Sequence, residues 1–146
     1  MKNLYIPLLF LLFLTLTGCK DEAVCLLPQD EISGTWELAS ATSGWSGTTT
    51  YQAGNGNLIK FDGNTYERTI DGQKEVGTYK LEEDISMLTN SPITRIFFYK
   101  DEAEQHDSQS ERLYVEVHGN TLTIGMDVYD GGANTYRRIT SDADKK

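Results

Sequence analysis

Cysteine is nearly absent, with two in 146 residues. That excludes a disulfide-stapled miniprotein, and two histidines with no cysteine pair give no zinc-ligand pattern. Basic residues are scarce: 13 Lys and Arg stand against 22 Asp and Glu, a formal net charge of −9. Binding to nucleic acid needs the opposite balance, because phosphates must be neutralised. No Gly-X-Ser-X-Gly elbow and no phosphate loop occur. The histidines, His106 and His118, stand outside any catalytic motif, and the separations of Glu67, Glu75 and Glu116 are not readable from sequence. The chain is one domain long, too short for a multi-domain enzyme.

A long apolar run is also missing. Leu4 to Leu16 is almost unbroken behind Lys2, but it falls short of the ~20 residues that span a bilayer. It reads as a targeting segment and ends in Leu16-Thr17-Gly18-Cys19. This closely resembles the lipobox of bacterial lipoproteins. The resemblance implies that residues 1–18 are a signal peptide cut before Cys19, and that Cys19 carries the acyl chains. The alternative is an ordinary secretory signal with an incidental cysteine. Lys20-Asp21-Glu22 follows at once. It looks like the Lys-plus-acids export signal of lipoproteins sent to the outer face of the outer membrane, or else a charged tether. Both imply a domain outside the cytoplasm, held to the membrane by lipid. Once Cys19 is acylated, Cys25 is the one remaining thiol, either packed beside Leu26 and Leu27 or bonded to another molecule.

Residues 19–31 read as a tether and 141–146 as a tail, with a domain over 32–140. Helical periodicity is hard to find there, whereas alternation and turn signals recur about every ten residues. Eight strands are predicted, at 34–41, 58–62, 65–70, 75–81, 94–100, 112–118, 121–126 and 135–140. Asp71-Gly72 and Gly119-Asn120 are tight-turn dipeptides. Leu113, Val115 and Val117 share one face, with Arg112, Tyr114 and Glu116 on the other. Such strands have one wet and one dry side. The fold class is therefore all-β, an eight-stranded antiparallel up-and-down barrel, with a β-sandwich as runner-up. Three longer loops remain, at 43–57, 82–92 and 101–110.

Gly34-Thr35-Trp36 opens the first strand. With eight strands and a large first loop, this resembles the lipocalin Gly-X-Trp signature. The closest likeness is to lipocalin-like domains on bacterial lipoproteins. The resemblance implies a barrel closed at one end by Trp36, with Arg138 packed across it and Arg137 as the alternative. It also implies a small apolar ligand at the open end. Trp45 and Tyr51 in the first loop, and Tyr66, Tyr79, Phe97 (or Phe98) and Tyr114 on strands, are the candidate contacts. The competing reading is that these aromatics fill or decorate the barrel, leaving a protein-interaction module. The departures are a short chain, no helix after the eighth strand and no Thr-Asp-Tyr segment. No cofactor, catalytic residue or metal is assigned. The acidic run from Asp101 to Asp107 lacks the Asp-X-Asp-X-Asp-Gly calcium pattern and reads as a solvated loop.

Overall fold

The computed structural model describes residues 27–100 and 112–139. Cys19, Cys25, the acidic run at 101–107 and the tail lie outside the described residues. A one-turn helix, α1 (Gln29–Ile32), precedes nine strands. These are β1 (Gly34–Ser43), β2 (Gly47–Thr50), β3 (Leu58–Asp62), β4 (Thr65–Ile70), β5 (Gln73–Ile85), β6 (Pro92–Tyr99), β7 (Leu113–His118), β8 (Thr121–Met126) and β9 (Ala133–Ile139). Strands β3 to β9 pair in sequence order, and β9 returns to β1. Every pairing is antiparallel. Strands β1 and β3–β9 thus close an eight-stranded antiparallel up-and-down barrel, as the strand pattern predicts, and this is consistent with a lipocalin-like barrel.

The ninth strand is a correction. β2 lies within the stretch expected to be loop, and it pairs with the second half of β1. The first half of β1 pairs with β3 instead. All four residues of β2 are exposed, so no buried side chain imposes a period. β5 also runs on to Ile85, and β6 starts at Pro92. Proline suits that first position because no ladder hydrogen bond is asked of its nitrogen.

Turn chemistry sets the registers. Asp71 and Gly72 both take positive φ, 49° and 78°, the geometry that lets a two-residue hairpin follow the strand twist. Ile70 then faces Gln73, and Tyr66 faces Gly77. Alternate residues point inward and make the core: Trp36, Ile59, Phe61, Tyr66, Tyr79, Ile96, Val115, Leu122, Ile124 and Tyr136, with Ile32 beneath.

The closed end is built around Trp36, which has no exposed surface. Its indole Nε1 donates to the carbonyl of Ile32 at 2.7 Å. The Arg138 guanidinium lies over the indole at 4.0 Å, an attractive placement over the ring's negative face. It donates to the carbonyls of Ser33 (2.7 Å) and Glu31 (2.6 Å). Gly34 sits at φ +119°, where side chains are strained, and a Cβ there would come within 3.1 Å of Arg138. Arg137 faces out. Its Nε donates to Glu37 at 3.0 Å, and its Nη2 to the Tyr51 carbonyl at 2.9 Å.

A second polar cluster lies on the outer wall. Arg95 is buried and donates to Asp84 (2.8 Å), to Asp127 (2.7 Å) and to the Arg112 carbonyl (3.2 Å). Asp127 is buried too, and accepts from the Ser86 hydroxyl (2.6 Å) and the Met87 amide (2.8 Å). This network ties the charged end of β5 and the turn after it to the barrel.

Candidate functional site

At the end away from Trp36 the barrel keeps a cavity of about 260 Å³. Ile59, Phe98, Leu113, Ile124 and Tyr136 supply its apolar wall, and Arg68 a single cation. The floor is aromatic. Phe61 meets Tyr79 edge-on at 4.9 Å, and Tyr66 meets Phe98 at 4.8 Å. Offset and edge-on contacts of this kind stabilise beyond the area they bury, so the lower barrel is a packed core.

Arg68 reaches the cavity because of strand parity. It stands two residues after Tyr66 and therefore shares its inward face. Opposite it in the register is Glu75. Arg68 Nη2 donates to Glu75 at 2.7 Å, and the Tyr66 hydroxyl donates to the same oxygen at 2.8 Å. Lys100 Nζ holds the other carboxylate oxygen at 2.9 Å. Burial pushes Glu75 up. Hydrogen bonds from Lys100 and Tyr66, with the charges of Arg68 and Lys100, outweigh it and hold the carboxyl below its usual range. Glu75 is thus an anion already committed to its neighbours. The Arg68 guanidinium also stands 5.8 Å from the Phe98 ring centre.

The six candidate contacts do not converge. Tyr66 and Tyr79 are inside, as parts of the floor, only 2% and 5% exposed. The Tyr79 hydroxyl donates to the Gly63 carbonyl at 2.8 Å, which Gln29 Nε2 also approaches. Phe97 faces outward, because Phe98 is the residue paired with inward Tyr79; Phe98 takes the place in the cavity. Tyr114 also lies outside. It pairs with Gly125, where a Cβ would sit 2.7 Å from the Tyr114 ring. Tyr51 is held through its backbone carbonyl by Arg137 and does not line the cavity, and Trp45 projects from the turn after β1, 90% exposed.

Ile59, Arg68, Leu113, Ile124 and Tyr136 were not among the candidates. For Arg68 a signal existed: the assignment of Tyr66 to the interior carries its i+2 neighbour with it. A larger depression of about 610 Å³ lies on the outer wall between Glu82, Asp84, Phe97 and Arg112. It carries charges of both signs and lacks the converging apolar wall of a small-molecule site. Among the described residues, no group of three or more His, Cys, Asp or Glu is placed to hold a metal ion. No protein-family model matches the chain, and comparison with the curated proteins and with the solved structures found no match.

Proposed function

We propose that this protein is a lipid-anchored lipoprotein of the outer membrane whose lipocalin-like barrel binds a small, largely apolar molecule at its mouth. The observation that carries the reading is the half-filled barrel: an apolar-walled cavity of about 260 Å³ above a packed aromatic floor. Pockets for drug-sized ligands run about 300–1,000 Å³, so the ligand is small. The anchor rests on Leu16-Thr17-Gly18-Cys19, and delivery to the cell surface on Lys20-Asp21-Glu22. Several acyl chains, at about 0.8 kcal/mol per buried methylene, hold a soluble domain to a membrane where one chain does not.

Native mass spectrometry of the protein purified gently from its own host tests the binding reading. A discrete adduct lost on denaturation supports it and gives the ligand mass. A clean apo mass, with no thermal shift against small lipids and other apolar compounds, removes it. Leu113→Phe adds three carbon atoms to the cavity wall and should weaken binding of a ligand that fills it tenfold or more. Phe97→Ala, on the outer wall, should leave binding unchanged. Equal effects from the two, measured by thermal shift against ligand concentration, would mean that the mouth is not the site. Cys19→Ala should release the protein from the membrane fraction; persistent partitioning would show that acylation is not the anchor.

A second reading, a protein-interaction module, draws on the rim. Trp45 and Tyr129 are 90% and 86% exposed. Their turns touch, since a Cβ on Gly44 would lie 2.6 Å from the Asp130 carbonyl oxygen. Exposed aromatics on abutting turns suit a partner surface. Loss of partner capture in Trp45→Ser, with no adduct in the wild type, would favour this reading.

A further inference from the structure

We infer that the molecule taken up at the mouth carries an anionic head, a carboxylate or a group of the same shape, bound by Arg68; this rests on the mouth being the binding site. A guanidinium at the edge of an apolar wall presents its unused donors to whatever enters the cavity. Arg68 has five N–H donors in a planar fork. Among the described residues only its Nη2 has a hydrogen-bond partner, Glu75. The side chain is about two-thirds buried, at 31% exposure, and lines the cavity. Glu75 on one side and the Phe98 ring on another restrain the guanidinium before any ligand arrives. Such a restrained fork matches two oxygens of a carboxylate in parallel hydrogen bonds.

The other head chemistries fit less well. A cationic head would meet Arg68, and the nearby carboxylate, Glu75, is already shared between Arg68, Lys100 and the Tyr66 hydroxyl. A neutral head would accept a hydrogen bond but leave two cations, Arg68 and Lys100, sharing the single Glu75 carboxylate. An anion answers both needs, and the apolar wall from Ile59 to Leu113 takes its tail. At roughly 30 Å³ for each water-sized group, a cavity of about 260 Å³ takes a chain of about eight carbons, its head at the mouth.

Octanoate and 1-octanol share that chain and differ in the head. Their binding is compared by equilibrium dialysis of labelled ligand against the full chain in phospholipid nanodiscs, with empty nanodiscs subtracted. At neutral pH octanoate should bind at least tenfold more tightly than octanol. Arg68→Met should abolish that preference while octanol binding survives. Arg68→Lys, which keeps the charge and loses the fork, should give an intermediate preference and serves if the Met variant does not fold. Octanol binding as tightly as octanoate, or an unchanged preference in both variants, overturns the anionic head and leaves the mouth as a site. Binding of neither compound above the empty nanodiscs overturns the mouth reading itself.

Discussion

Replacing Trp36 with alanine is expected to destabilise the barrel by about 3–5 kcal/mol, the range for removing a large buried aromatic. Three interactions go at once. The indole has no exposed surface, so a cavity opens at the closed end. The Ile32 carbonyl loses its 2.7 Å donor. Arg138 loses the ring beneath it while still tethered to the Ser33 and Glu31 carbonyls. Urea unfolding with an unchanged slope measures the loss directly. Trp36→Phe keeps most of the volume and should cost less. A loss near or below ~1 kcal/mol for the alanine variant, the scale of surface changes, would mean that the closed end is not held by this residue.

The second large effect is expected on the outer wall. Asp127→Ala should destabilise by about 3–5 kcal/mol, because it removes the buried counterion of Arg95, leaves only the half-exposed Asp84 beside that guanidinium, and strands the Ser86 hydroxyl and Met87 amide. Replacing both partners with apolar residues, Arg95→Met with Asp127→Leu, should recover much of that loss, since two desolvated charges disappear together. If the double variant is as unstable as the sum of the single ones, the pair is not coupled. The same carboxylate sets an acid dependence. Burial raises Asp127, but hydrogen bonds from Ser86, the Met87 amide and Arg95, with the charge of Arg95, lower it from 3.8 to about 2. A depressed carboxylate favours the folded state fully above its unfolded pKa. Its contribution is lost as pH falls from about 4 towards 2. Stability measured across that interval should fall less steeply with pH in Asp127→Ala than in the parent.

Much of the fold could be read from residue order because most strands have one buried face. Leu113, Val115 and Val117 alternate cleanly, and Asp71-Gly72 demands a tight turn, so β7 and the β4–β5 hairpin are legible. β2 is not, because Gly47–Thr50 buries nothing. The end of β5 is hidden for another reason. Glu82, Glu83 and Asp84 look like loop, yet Asp84 is held by Arg95, eleven residues away. The site was less legible than the barrel. Ile96, Phe97, Phe98 and Tyr99 are four apolar residues in a row, with no alternation to tell in from out. Only the pairing of Phe98 with Tyr79 decides it. Tyr114 is different. Its position between Leu113 and Val115 already placed it on the wet face, so parity alone argued against a ligand contact.

The pairing of β1 with β9 also governs how the molecule comes into being. Trp36 lies beside Arg138, and Glu37 bonds Arg137 across 100 residues of chain. Contacts so distant in sequence must wait for a large loop to close, and barrels dominated by them fold in milliseconds to seconds rather than microseconds. Until β9 is in place, β1 and β8 are raw edges able to pair with other chains. A polypeptide exported N-terminus first, as proposed above, therefore delivers its plug residue early and the cation that locks it near the end. Until the last strand arrives, those two edges need shielding.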